Sequence, residues 1–200
     1  MSSSQARLLV ATTNAAKLKE IGALLDGVPV RLETLASWPT LDVPEESGRT
    51  FADNARLKAL YYAQATGLPT VAEDSGLEID ALGGAPGVES ARFGGPGASY
   101  AEKFALVYAR LAAAGVQQSG ARFVCAMALA DHGRIAFEAT GTIEGAIAQT
   151  PRGAGGFGYD PIFYYPPFGC TLAEAGPRKS EVSHRAAAFR QLRDYLGRRA

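Results

Sequence analysis

The chain has 200 residues and a formal charge of zero, with 20 Lys and Arg against 20 Asp and Glu, 47% hydrophobic residues, 23 Gly, 11 Pro, two Cys and two His. That length fits one large domain or two intimate lobes around a real core, and the apolar content excludes a disordered chain. The longest apolar run, residues 123–130, is far short of the roughly 18–20 residues that cross a bilayer, the start of the chain lacks a signal-peptide apolar region, and two cysteines cannot build a disulfide framework or a four-ligand zinc site, so a soluble cytoplasmic protein is expected.

Residues 7–12 form a short apolar run, and Leu18, Ile21 and Leu25 come next at helical spacing, which predicts strand, tight turn, helix. Residues 30–35 alternate as a second strand, and a loop containing Pro and acids runs through Gly48. Thr50 and Asp53 form a capping pair for a helix with Phe51, Ala55 and Tyr62 inward and Gly67 as its stop. Residues 68–72 and 77–82 are predicted as two strands separated by a sharp junction at Glu73-Asp74-Ser75-Gly76. A Gly- and Pro-rich loop over 83–97 leads to Ser99 and Glu102, a capping box for a helix carrying Phe104, Val107 and Leu111 and ending at Gly115. Residues 123–130 and 135–147 flank Asp131-His132-Gly133, the composition of a hairpin turn with positive φ, which puts His132 at the surface and Cys125 in the interior as a small hydrophobe. A second Gly-rich loop over 152–160 precedes a strand at 161–165. The last helix starts at Ser183 with Ala186, Phe189, Leu192 and Leu196 on one stripe. This order predicts an α/β protein with a mixed sheet, residues 1–200 acting as a single domain.

The zero net charge conceals an uneven distribution. Residues 42–89 hold nine acids against three bases, and residues 178–199 hold seven bases against two acids. Within these segments and the first turn, four groups have side chains suited to an anionic ligand. Thr12, Thr13, Asn14, Ala15, Ala16 and Lys17 lie where the first strand enters a helix, and hydroxyl, amide, ammonium and free N–H groups there suit phosphate. The turn lacks the glycines of a dinucleotide fingerprint or a Walker A loop. Glu45-Glu46 and Glu73-Asp74-Ser75 offer carboxylates from separate segments, the ligand set Mg²⁺ prefers, with a carboxylate able to take a proton from water. Residues 152–161 match G-x-G-x-x-G at Gly153, Gly155 and Gly158, but Pro161 interrupts the chain just beyond them and no helix opens there. That excludes a Rossmann site and leaves a loop where Phe157 or Tyr159 could meet a flat ring. Lys179, Ser180, Ser183, His184 and Arg185 supply cations and hydroxyls at the entrance of the final helix. Each group alone also has an ordinary reading as helix cap, solvated charge or core aromatic.

In order and together, the T-x-N-x-x-K turn, E-D-S-G-L followed by L-G-G-A-P-G-V-x-S-A-R-F, G-G-F-G-Y-D-P-I-F, and K-S-x-x-S-H-R-A-A-A span nearly the whole chain. This set resembles the inosine triphosphate pyrophosphatase family of house-cleaning enzymes, in its bacterial branch. The resemblance implies an elongated mixed β-sheet flanked by helices, two lobes with the active-site cleft between them, and a homodimer. It also implies Mg²⁺-dependent cleavage of ITP, dITP and XTP between the α and β phosphates, giving the monophosphate and pyrophosphate.

By the same resemblance Asp74 is the general base and a metal ligand, and Glu45 is the second metal ligand. Thr12, Thr13, Asn14, Ala15, Ala16 and Lys17 bind the triphosphate with Lys58, and Ser75 helps place the substrate. Phe157, Gly158, Tyr159 and Asp160 form the base pocket, completed by Lys179, His184 and Arg185. Glu73 stands where many bacterial members carry Asp, and Thr13 and Ala16 stand where glycine is common. A pyrophosphatase for modified pyrimidines or for all triphosphates is the rival within the class. A non-catalytic nucleotide sensor is the rival outside it, and the retained Glu45, Asp74, Lys17 and Lys58 favour an enzyme. Neither a nucleic acid nor a membrane is expected as a partner, since the net charge is zero and the basic segment is short.

Overall fold

The computed structural model describes residues 6–198; Met1 to Gln5, Arg199 and Ala200 lie outside the described residues. Seven strands form one mixed sheet in the order β2-β1-β3-β4-β5-β6-β7. The strands are β1 (Ala6–Val10), β2 (Val30–Thr34), β3 (Thr70–Ile79), β4 (Gly120–Asp131), β5 (Arg134–Ile147), β6 (Phe163–Tyr165) and β7 (Cys170–Thr171). The helices are α1 (Ala15–Leu24), α2 (Phe51–Thr66), α3 (Tyr100–Ala113), α4 (Lys179–Val182) and α5 (His184–Gly197). β1 pairs in parallel with both β2 and β3, so α1 is the crossover of a βαβ unit, whereas β6 pairs antiparallel with β5 and β7. Among the described residues no helix is long and apolar enough to cross a membrane.

The local signals act as expected where side chain and backbone meet. Thr50 accepts the Asp53 N–H, and Gly67 closes α2 at φ 68°. Ser99 and Glu102 complete a reciprocal capping box on α3. His132 and Gly133 take φ of 49° and 75°, the two successive positive values of a tight hairpin turn. The expected junction at residues 73–76 is corrected: β3 runs unbroken through it. Gly76 serves close approach rather than a turn, because a Cβ there would stand 2.7 Å from the Gly87 carbonyl and against Ser90, whose Oγ accepts the Leu77 N–H. The last helix, α5, opens at His184, one residue after its expected start, and Ser183 is extended between it and the short α4.

The described residues divide into two compact units, one built from residues 6–74, 125–141 and 184–198, the other from 75–124 and 142–183. In the first, the central strands are buried on both faces. Leu8, Val10, Val71, Cys125, Met127 and Leu129 pack with Ile21, Leu25, Phe189 and Leu192 of the α1 and α5 side. Leu9, Ala11, Ala72, Ala128 and Ala130 pack with Ala55, Ala59, Tyr62 and Ala63 of α2. The facing alanines let α2 lie close to the sheet. In the second unit, Leu77, Ile79, Phe104, Val107, Leu111, Phe123, Ile143, Phe163 and Leu172 share one cluster.

Candidate active site

Period-two alternation along β3 decides where the adjacent acids go. Val71 faces α1 and α5 and Ala72 faces α2, so Glu73 falls on the first side and Asp74 on the second. Both are buried, and each meets its own set of partners.

On the α1 and α5 side, Glu73 Oε1 accepts Lys17 Nζ at 2.8 Å and Arg185 Nη2 at 3.3 Å, and Cys125 Sγ–H donates to Oε2 at 3.2 Å. Arg185, from the first turn of α5 and fully buried, also binds Glu20 of α1 at 2.6 Å. Burial alone would push the Glu73 carboxyl up, but Arg185 and Lys17 outweigh it and hold the group well below the usual carboxylate range. Burial and the neighbouring Glu73 charge push the Cys125 thiol well up, keeping it a donor. The turn that carries Lys17 is set by Asn14, whose Oδ1 accepts the N–H groups of Ala16 and Lys17, while the Asn14 N–H donates to Thr12 Oγ1. Asn14 is therefore the cap of α1. Thr13 and Ala15 are exposed, and Thr12 and Ala16 half-buried.

On the α2 side, Asn54 and Lys58 stand one turn apart on the inner stripe of the helix and reach the strand. Asn54 Nδ2 donates to Asp74 Oδ2 at 3.0 Å, and Lys58 Nζ lies 2.6 Å from Glu46 Oε1 and 3.5 Å from Asp74 Oδ1. Burial raises the Asp74 carboxyl from its ordinary value against the pull of Lys58 and Asn54, which suits a proton acceptor. From the acidic loop it is Glu46 that joins this cluster; Glu45 beside it is exposed. Glu46 and Asp74 thus bracket one positive charge with carboxylates from separate segments, a donor set that suits a hard divalent cation. Among the described residues no group of three or more His, Cys, Asp or Glu could hold a metal, so water and ligand oxygens would complete the shell.

In the second unit the Gly-rich loop is held by a buried ion pair. Asp160 Oδ2 accepts Lys179 Nζ at 2.7 Å and the Phe157 N–H at 2.8 Å, and the Lys179 ammonium lies 4.5 Å from the centre of the half-buried Phe157 ring. Tyr159 is buried, edge-on to Tyr100, and its hydroxyl donates to the Ser90 carbonyl, with burial pushing the phenol up. Gly158 has φ 69°. Ser75 is half-buried on β3, and His184 is buried at the start of α5.

Of the residues expected from sequence, Lys17, Lys58, Asp74 and Arg185 therefore share the first unit, while Phe157, Tyr159, Asp160 and Lys179 share the second. Sequence reasoning passed over Asn54, Glu20 and the bond from Cys125. Asn54 had one signal: a polar side chain four residues before Lys58 on a helix face otherwise lined by Phe51, Ala55 and Ala59.

Known proteins share this architecture. Residues 8–195 match the Ham1 family. The chain is 45% identical over 192 residues to a dITP/XTP pyrophosphatase from Geobacter sulfurreducens, covering 96% of each chain. It is 46% identical over 187 residues to a dITP/XTP pyrophosphatase from Thermus thermophilus, covering 93% of this chain and 89% of that one. Among solved structures, a HAM1 protein from Coxiella burnetii superposes with a TM-score of 0.90 at 40% identity, covering 96% of this chain and 99% of that one.

Proposed function

The chain belongs to the Ham1 family, and from that premise we propose that it is a nucleoside-triphosphate pyrophosphatase that hydrolyses ITP, dITP and XTP to the monophosphate and pyrophosphate with Mg²⁺. The observation that carries this reading is the buried Asp74, set between Asn54 and Lys58 with Glu46 alongside and raised from its ordinary value by burial. The names of its relatives, dITP/XTP pyrophosphatases of about the same length, support the substrate class.

The donor set of Glu46 and Asp74 fits Mg²⁺, with Glu45, the ligand implied by resemblance, next in the chain. The ion, when bound, would offset charge on the phosphate oxygens. Asp74 takes a proton from water as the water oxygen forms a bond to the α-phosphorus. The bond from that phosphorus to the bridging oxygen breaks, and its electron pair leaves with pyrophosphate. Lys17 and Lys58 begin on carboxylates, so each exchanges part of that contact for phosphate oxygens as the substrate enters. The turn of residues 12–17 receives the triphosphate at the N-terminus of α1.

For the base, the resemblance assigns recognition to Phe157 through Asp160 and Lys179 of the second unit, and to His184 and Arg185 of the first, with Arg185 acting through Glu73. A donor aimed at the 6-keto oxygen would accept hypoxanthine and xanthine. Adenine, with a 6-amino group, leaves that donor unpaired, a mismatch that can be worth about 10⁴-fold or more. We read the two units as one working domain, because the chain passes between them at residues 74, 124, 141 and 183. A homodimer is the assembly implied by the resemblance, and the cytoplasm is the location expected from the sequence.

The test is a panel of ITP, dITP, XTP, dATP, dGTP and dCTP with pyrophosphate and orthophosphate measured separately, with and without Mg²⁺. Pyrophosphate from the first three in the presence of Mg²⁺ is expected. Orthophosphate with a diphosphate product would place the cut at the wrong bond, and equal rates on all six would favour a general pyrophosphatase.

A further inference from the structure

Asn54 is fully buried on α2, and both ends of its amide are spoken for. Nδ2 donates to Asp74 Oδ2 at 3.0 Å, and Oδ1 accepts the Gly48 N–H at 2.8 Å. Because only the carbonyl end can accept from Gly48, the NH₂ end must face Asp74, and the amide cannot flip without breaking both bonds. Gly48 is shaped for this contact. A Cβ at Gly48 would stand 2.6 Å from Asn54 Oδ1 and 2.9 Å from the Asn54 backbone nitrogen, so the loop backbone can approach only as glycine. Gly48 lies two residues after Glu46, in the same loop. One side chain therefore ties the acidic loop to the strand that carries Asp74.

We propose that Asn54 is a positioning residue: it engages Oδ2 of Asp74, turns Oδ1 toward Lys58 and fixes the loop bearing Glu45 and Glu46 at the matching distance. The inference rests on the reading of Asp74 as the catalytic base. Asn54 touches no reacting atom; it acts by restricting the carboxylate to one orientation, and a carboxylate misplaced by about 1 Å can cost about 10²-fold in rate.

Two variants separate the halves of the contact. Asn54→Asp keeps an acceptor for Gly48 and the side-chain volume, but exchanges the donor facing Asp74 for a carboxylate oxygen. Asn54→Ala removes both bonds. With dITP and Mg²⁺, Asn54→Asp is expected to lower kcat by about 10²-fold while KM stays within about threefold. In an Asp74→Asn background, adding Asn54→Ala is expected to cost at least about tenfold less than in wild type, because the part of its effect that runs through Asp74 is gone and only the release of the acidic loop remains. Thermal melts report folding. Where Asn54→Asp does not fold, Gly48→Ala, which keeps the amide but displaces its oxygen, is measured in its place. An active wild type with a folded Asn54→Asp variant within about threefold of its kcat overturns this inference alone. So does Asn54→Ala costing as much in the Asp74→Asn background as in wild type, the signature of a merely structural role. A wild type that releases no pyrophosphate from any nucleotide overturns the functional reading and this inference with it.

Discussion

Glu73 and Asp74 are bonded neighbours that face opposite sides of β3, and each meets a different lysine: Lys17 for Glu73 at 2.8 Å, Lys58 for Asp74 at 3.5 Å. Their environments move them in opposite directions. Arg185 and Lys17 hold Glu73 down despite burial, whereas burial lifts Asp74 despite Lys58 and Asn54. Titratable neighbours driven apart in this way divide into one that stays charged and one that takes a proton more readily.

Asp74→Asn keeps the volume and the contact with α2 but removes the proton acceptor. Turnover is expected to fall by about 10²-fold or more, with the melting temperature and nucleotide binding near wild type. Near-normal turnover in a pyrophosphate-release assay would remove Asp74 from the mechanism.

Glu73→Gln leaves Arg185 and Lys17 facing a neutral amide in the interior, an expected loss of about 3–5 kcal/mol at neutral pH. The folded-state pKa is depressed, so the charge on Glu73 stabilises fully above the unfolded value, about 4.3, and its contribution fades as pH falls through the lower folded value. Melts of wild type and variant across acidic pH should therefore converge below about pH 4. A gap that stays constant into acid would show that the ion pair is not its source.

Lys179→Met strands the Asp160 carboxylate, which is 2% exposed. The expected cost is about 3–5 kcal/mol in stability, and the Phe157 ring loses the ammonium above it. A raised KM for dITP with a smaller change in kcat is expected if this loop meets the base. An unchanged melting temperature would contradict the buried pair.

Gly141→Ala tests the seat of α5. A Cβ there would collide with the His184 carbonyl and stand 2.6 Å from the Ala188 nitrogen. The expected destabilisation is about 1–3 kcal/mol by denaturant melts, with lower activity because His184 and Arg185 begin that helix. Wild-type stability would mean that the strand and helix separate at no cost.

The signals legible in sequence were those a residue sends to its own backbone. Thr50, Ser99 with Glu102, and His132-Gly133 each fix a local hydrogen bond or a φ value, and each does in the fold what its chemistry predicts. Glu73 through Gly76 misled for the opposite reason. A polar run with a glycine has the composition of a turn, yet Lys17, Arg185, Asn54 and Ser90, all distant in sequence, satisfy it inside a strand. The same distance hid the partner of Tyr159, whose hydroxyl reaches Ser90, 69 residues away. Lys17 and Lys58 were legible as cations, but not the carboxylates on which they rest.

Neither unit is a continuous stretch of polypeptide, one needing three segments and the other two. Trimming the chain from either end therefore removes pieces of the first unit before it isolates the second, and no single cut releases an intact half. A fragment approach to this enzyme must rejoin termini rather than shorten them. The exposed His132-Gly133 turn is a place for such relocated ends, and opening the chain there would alter the order in which the segments of both units are synthesised.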